Sequence, residues 1–236
     1  MHLTQNTIAA RLREAGCVYA DDEAQMMLGE APSQARLESM MQRRIEGLPL
    51  EWILGWAEFC SLRIEVDAGV FVPRRRSEFL VERAVKATAP GFTVVDLCCG
   101  SGALGVAIAS AVGNLALHAS DIDTAAVQCA ARNLVPIGGQ TYAGDLYAAL
   151  PPALRGHVDI LVVNAPYIPT AEIATLPREA RLHEALASHD GGADGLDVHR
   201  RIAADALQWL APAGHLLIET SQSQAEAAAA IFGHCG

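Results

Sequence analysis

Apolar residues recur one helical turn apart through residues 1–48: Ile8 with Leu12, Leu37 with Met41, then Ile45. Gly16 and Pro32 interrupt the pattern, so the spacing predicts about three short helices. Between Trp52 and Val72 the period changes to two. Leu62, Ile64 and Val66 alternate with Arg63, Glu65 and Asp67, as in a half-buried strand, and this piece predicts a hairpin joining the helical part to the rest. From Ser77 onward strands and helices alternate. Strands are expected at 93–97, 115–120, 140–143, 158–163 and 215–220, with helices at 103–112 and 124–134. Val198, Ile202, Ala206 and Leu210 mark the apolar face of the helix before the last strand. Such alternation predicts an α/β fold, a parallel sheet with helices on both faces. Ligands of such sheets bind at the carboxyl ends of the strands.

Composition narrows the classes. The 236 residues are 51% hydrophobic and 19% charged, enough for one α/β domain plus a small extra one. The net charge of −10 makes direct nucleic-acid binding a poor expectation, because phosphate affinity rests on clustered Lys and Arg. Lys86 is the single lysine, which reads as codon bias. The cysteines (Cys17, Cys60, Cys98, Cys99, Cys129 and Cys235) include no C-x-x-C pair, so a reduced, cytoplasmic protein without a metal site is expected. No signal peptide is visible. The least charged stretch, 103–119, is broken by Gly113 and Asn114 and is shorter than the ~20 apolar residues of a membrane span.

The chemistry sits at the strand ends. The first strand of the sheet runs into Asp96-Leu97-Cys98-Cys99-Gly100-Ser101-Gly102, where glycines allow close approach to a ligand and the following helix offers free N–H groups. Gly100, Gly102 and Gly105 also satisfy G-x-G-x-x-G, a weak signal alone. Asp96 would repel a pyrophosphate but could hold an ammonium group. Asp121, ending the second strand, could accept ribose hydroxyls, and Asp145 the adenine amino group. With Asn164-Ala165-Pro166-Tyr167 after the fourth strand, this favours S-adenosylmethionine over a nicotinamide cofactor. The candidate cofactor residues are Asp96, Cys98, Cys99, Gly100, Ser101, Gly102, Asp121, Ile122, Asp145, Leu146 and Asn164.

Asn164 to Tyr167 resembles the [N/D]-P-P-[Y/F/W] motif of amino-methyltransferases. More closely, the chain resembles the HemK-type (PrmC-like) protein-(glutamine-N5) methyltransferase family, as a divergent branch. Residues 71–78 are similar to that family's P-R-P-x-T-E segment, 96–102 to its D-L-G-T-G-T-G loop, and His183-Glu184 with Asp190-Gly191-Gly192 to its later substrate-side segment. The resemblance implies a Rossmann-like class I S-adenosylmethionine methyltransferase sheet with a small helical N-terminal domain and a β-hairpin linker. It divides the chain into a substrate-recognition domain at 1–50, the linker at 51–76 and the cofactor domain at 77–236. It implies a protein substrate, with a peptide-chain release factor leading, and a monomeric enzyme. The implied catalytic residues are Asn164, Ala165, Pro166 and Tyr167: the Asn164 oxygen and the Ala165 carbonyl orient the amide, Pro166 keeps residue 165 extended, and Tyr167 lies against the planar group. Phe71, Pro73 and Arg74, with Asn164 and Tyr167, would face the substrate.

Several positions depart from the family. Ala165 stands for the first proline, Cys98 for the first loop glycine, Arg75 for a proline and Arg76 for an acidic residue. The family's last two strands are not evident after the fifth strand and its helix, as in a truncated version. Gly138-Gly139-Gln140 is expected to be a turn before a strand rather than a self-substrate. Three other readings stay open: an adenine amino methyltransferase on DNA or RNA, which needs a groove for a flipped base; a small-molecule N-methyltransferase; and a non-catalytic cofactor-binding docking protein.

Overall fold

A computed structural model describes residues 2–233; Cys235 and the end of the third expected domain lie outside them. The first fifty-odd residues form four helices rather than about three: α1 (Gln5–Glu14), α2 (Ala20–Glu30), α3 (Gln34–Ile45) and α4 (Leu50–Leu54). Thr4 and Ser33 cap α1 and α3 with their hydroxyls, satisfying N–H groups that the first turn leaves free. Ile8, Leu12, Met27, Leu37, Met41 and Ile53 make their core. The fourth helix lies where strand was expected to begin. Gly55, at φ 85°, ends it and turns the chain into the hairpin.

The hairpin pairs β1 (Trp56–Phe59) with β2 (Leu62–Glu65), Phe59 opposite Leu62. Cys60 and Ser61 form its two-residue loop, both at positive φ (51° and 59°), as the twist of such a turn demands. Phe59, Ile64 and Val66 enter the main core. On the far side Asn133 Nδ2 donates to the carbonyls of Glu65 and Ser101, both at 2.9 Å, fastening the hairpin to the glycine loop.

The main domain runs α5 (Glu78–Ala87), β3 (Thr93–Leu97), α6 (Ala103–Val112), β4 (Ala116–Asp121), α7 (Thr124–Leu134), β5 (Gln140–Ala143), β6 (Val158–Val163), α8 (Arg178–His183), α9 (Asp197–Trp209), β7 (Leu210–Ile218) and α10 (Ala225–Gly233). Among the described residues the sheet has five strands in the order β5-β4-β3-β6-β7, every neighbouring pair parallel. Both faces are buried. Val94, Ile160 and Val162 face the core shared with α5, α6, α7 and the hairpin, while Val95, Leu97, Leu161 and Val163 face Tyr147, Ile202 and Trp209. Near-continuous apolar strands are what such double burial requires.

The last strand begins earlier than the pattern predicts. Leu210 pairs with Val158 and belongs to β7 rather than to the α9 face, and the strand stops at Ile218. Pro212 and the left-handed Ala213 (φ 63°) make an irregularity in the register, so the alternation shows only from His215 onward. Gly138, at φ 85°, forms the expected turn before β5. No described helix is long and apolar enough to cross a membrane.

Candidate active site

An open cavity of about 1060 Å³ lies along the carboxyl ends of β3, β4 and β6. Its floor is the loop after β3. Cys99 N–H donates to Ser120 O (3.0 Å) and Gly102 N–H to Cys99 O (2.7 Å), folding the loop back on itself. Gly102 stands at φ 77°, and a Cβ there would lie 2.8 Å from Leu134 Cδ1. The angle strains any other residue, and its Cβ would push Leu134 aside. Gly100 N–H donates to Asp121 Oδ2 (2.9 Å), and Asp123 N–H to Asp121 Oδ1 (2.9 Å). Each Asp121 oxygen keeps a lone pair for a ligand. Burial pushes the Asp121 carboxyl up, against these N–H bonds. Ile122 follows at 65% exposure, a large apolar side chain left open on the cavity rim.

Cys98 sits where the family resemblance has glycine, at φ 60°. Burial first, then Asp121, Asp96 and Asp145, push its thiol well above the usual range. A thiol raised in this way makes a poor nucleophile.

The expected cofactor residues do not all reach the cavity. Cys98, Cys99, Gly100, Ser101, Asp121, Ile122, Asp145, Leu146 and Asn164 line it; Asp96 does not. Asp96 lies fully buried beneath the loop. Its Oδ2 accepts from Gly105 N–H (2.9 Å), and its Oδ1 has no partner among the described residues. The geometry therefore makes Asp96 an anchor for the first turn of α6 rather than a wall of the cavity. Gly102 likewise shapes the loop from behind, against α7. Asp145 reaches the cavity, but its Oδ2 is bonded to Arg201 (2.6 Å).

The acceptor side begins where β6 ends. Asn164 Nδ2 points to Ser77 Oγ (3.4 Å), while its Oδ1 has no hydrogen-bond partner among the described residues and is not enclosed. Ala165 is buried. Tyr167 Oη donates to Glu219 Oε1 (2.9 Å); burial first, and then the Glu219 charge, push the phenol up to about 12. Arg76 Nε approaches the same oxygen at 3.3 Å.

Phe71, Pro73 and Arg74 line the same cavity. Arg74 bonds both oxygens of Glu184 (2.6 and 2.7 Å), whose side chain is 1% exposed, and its guanidinium stands 4.9 Å above the Phe71 ring. His189 Nε2 lies 2.8 Å from Glu184 Oε2 and its ring meets Phe71 edge-on. Burial pushes Glu184 up, but His189 and Arg74 outweigh it and hold the carboxyl low. Arg74 thus fastens residues 184–189 over the cavity. The helical domain joins in: Arg44 pairs with Glu23 (2.7 Å) and with Glu179 of α8 (2.5 Å), and Trp52 meets His183 edge-on.

Several site residues were not among the sequence candidates. Ser77 and Glu219 hold Asn164 and Tyr167, Arg201 holds Asp145, and Glu51 of α4 reaches the cavity wall. Each couples segments far apart in sequence, so local pattern carries no trace of it.

A strand–glycine loop–helix cradle, an acid ending the next strand and an Asn-Ala-Pro-Tyr turn at the fourth, on a parallel five-stranded sheet, define a class I S-adenosylmethionine-dependent methyltransferase. Residues 61–185 match the family model described as methyltransferase small domain. Similar curated proteins are the release factor glutamine methyltransferases of Gloeobacter violaceus (40% identity over 196 residues, 80% of this chain and 68% of that protein) and Geobacter sulfurreducens (34% over 204 residues, 86% and 71%). That of Bradyrhizobium diazoefficiens is 34% identical over 245 residues, covering 94% and 82%. Among solved structures, the ribosomal protein L11 methylase of Lactobacillus delbrueckii subsp. bulgaricus shares the fold, with TM-score 0.50 and 15% identity over 69% of each chain. The chain belongs to the release factor glutamine methyltransferase family.

The residues fit the cofactor of that class. The glycine cradle leaves room at Gly100, where a Cβ would find its nearest neighbour 3.9 Å away. Asp121 keeps free lone pairs, and Ile122 offers an apolar face for a flat base.

Proposed function

We propose that the chain methylates the side-chain amide nitrogen of a glutamine in a peptide-chain release factor, as a monomer in the cytoplasm. The observation that carries this reading is Asn164: its amide is anchored through Nδ2 on Ser77, leaving Oδ1 open to the cavity that also holds the Gly100–Asp121 cradle.

When bound, S-adenosylmethionine would supply an electrophilic methyl group, its sulfur–methyl bond breaking to leave the neutral thioether S-adenosylhomocysteine. Asp121 would hold its ribose hydroxyls, while Ile122 and Leu146 would cover the base. Asp145 would stand by the adenine amino group, with Arg201 fixing its carboxylate. Asp96 acts indirectly, by pinning Gly105 and so the loop. An amide nitrogen is a poor nucleophile because its lone pair is shared with the carbonyl. Asn164 Oδ1 and the Ala165 carbonyl accept its two N–H bonds, fixing its plane and favouring the positive charge that develops as the N–C bond forms. Tyr167 packs against that plane, and Pro166 keeps the Ala165 carbonyl extended towards it. Solvent takes the surplus proton, since an N-alkylated amide cation is strongly acidic. The remaining effect is proximity and orientation. The helical domain at 1–50 and the linker at 51–76 recognise the folded protein around the glutamine, with Phe71, Pro73 and Arg74 at the cavity mouth.

The test compares a release factor, its variant with the methyl-accepting glutamine replaced by alanine, duplex DNA and structured RNA, each with labelled S-adenosylmethionine. Mass spectrometry is expected to find one added methyl on the glutamine of the first and none elsewhere. Asn164→Ala should lower turnover by the equivalent of about 2.7–4 kcal/mol, with cofactor affinity little changed. Labelled nucleic acid beside an untouched release factor would overturn the reading.

A further inference from the structure

Tyr167 is held at both ends by the segment that follows β7. Its hydroxyl donates to Glu219 Oε1 at 2.9 Å, and its carbonyl accepts from Gln224 Nε2 at 2.9 Å. Gln224 is buried and its amide is fully engaged: Nε2 also donates to Asp194 O (2.9 Å), and Oε1 accepts from Ser221 Oγ (2.5 Å). Glu219 is itself fixed through its backbone. Its N–H donates to Val163 O at 3.0 Å, and its carbonyl lies 3.1 Å from His199 Nε2.

The Glu219 side chain is an expensive choice for mere packing. It is only 13% exposed, and its Oε2 is buried with no partner among the described residues. A buried acceptor left unsatisfied costs free energy, and more so when charged. Arg76 covers part of that charge, its Nε 3.3 Å from Oε1 and its guanidinium 6.0 Å from the centre of the Tyr167 ring. In return, the carboxylate offers the hydroxyl an ionised acceptor, a class of partner that binds more strongly than a neutral one. Such a bond resists rotation of the ring about its side-chain torsions. Backbone bonds at the other end stop the whole residue from sliding.

We infer that Glu219 is a positioning residue for methyl transfer: it fixes the ring of Tyr167 against the acceptor amide, with Arg76 shielding its charge and Gln224 holding the backbone beneath. The inference rests on the methyl-transfer reading for its kinetic test but not for its spectroscopic one. Glu219 touches no reacting atom. It acts through Tyr167, and a displacement of the order of 1 Å at a reacting centre can cost about a hundredfold in rate.

The test is a mutant cycle on the full chain with release factor as substrate. Glu219→Ala and Tyr167→Phe should each lower kcat about tenfold, the value of one hydrogen bond to a charged group. The double variant should lose no more than the worse single one. Glu219→Gln, which keeps an acceptor oxygen, should restore most of the rate, and the Kd for S-adenosylhomocysteine should stay within about twofold throughout. Three results would overturn the inference: an unchanged kcat in Glu219→Ala, losses that multiply in the double variant, or a loss of cofactor affinity as large as the loss of kcat. Carbon-13 tyrosine NMR gives an answer independent of substrate. The resonance that vanishes in Tyr167→Phe should move in Glu219→Ala. A resonance that stays in place sinks the clamp even if the release factor is methylated; a wild-type chain that methylates none indicts the functional reading alone.

Discussion

Asp96 shows how a residue type can be legible while its role is not. An acid before a glycine loop stands out in the sequence, and it would suit an ammonium group. Its orientation depends on whether the next turn offers an N–H, and Gly105 does, at 2.9 Å. Burial, with a smaller contribution from Asp121, pushes this carboxyl up to about 8. In the unfolded chain it would titrate near 3.9. The folded state therefore holds a proton that the unfolded state releases, and this contribution to stability is full in acid and lost as pH rises from about 4 through 8. Asp96→Asn keeps the acceptor for Gly105 and cannot titrate. Urea midpoints of the two proteins between pH 5 and pH 8.5 should diverge in favour of the variant as pH rises. Parallel profiles would exclude a raised Asp96. Cys98 and Ala165, by contrast, could be marked as departures at once, because each changes a motif with a known backbone shape.

The elements that carry the sheet were legible for a physical reason. Strands buried on both faces must be nearly continuous in apolar residues, and 93–97 and 158–163 agree with the observed bounds of β3 and β6. The opposite holds for residues 170–195. These are short turns and one six-residue helix, and they lie in place through partners far away: Arg74 with Glu184 is 110 residues apart, Arg44 with Glu179 135. No window of sequence contains both halves of such a pair. The turn at 191–195 is packed as tightly as the cofactor loop. Gly195 stands at φ 79°, and a Cβ there would collide with Tyr167 O and Gln224 Nε2. Gly195→Ala should therefore pull down kcat while leaving cofactor affinity alone, because it displaces Tyr167 and not the β3 loop. Equilibrium binding beside steady-state kinetics would show this. A variant with wild-type kcat would mean the turn yields without moving Tyr167.

Across the whole molecule, Arg44 joins three parts: α2 through Glu23, α3 from which it extends, and the cover over the cavity through Glu179. Glu23 and Arg44 are both buried, so Arg44→Ala strands a carboxylate and should cost about 3–5 kcal/mol. Replacing both by apolar residues should recover most of that loss. The outer link is different. Glu179 is about half open to water, its side chain 44% exposed, and pairs screened by solvent contribute only about 1 kcal/mol or less. Glu179→Ala should barely move the urea midpoint yet raise the KM for release factor, since it frees the cover from the helical domain. Equal KM values in wild type and variant would show that this link plays no part in substrate recognition. The change of hydrophobic period between the helical segment and the hairpin is readable in the sequence, but this bridge from Arg44 to Glu179 is not.

The strand order has a temporal consequence. β3, β4 and β5 are consecutive in the chain and adjacent in the sheet, so each can pair with the one before as it appears. β6 pairs on the other side of β3, and the bond from Thr93 N–H to Asp159 joins residues 66 positions apart. Loop-closure entropy grows with the logarithm of that length, and long-range parallel pairing slows folding. During synthesis, the half of the sheet that carries the Gly100–Asp121 cradle can therefore take shape while the ribosome has yet to deliver Asn164.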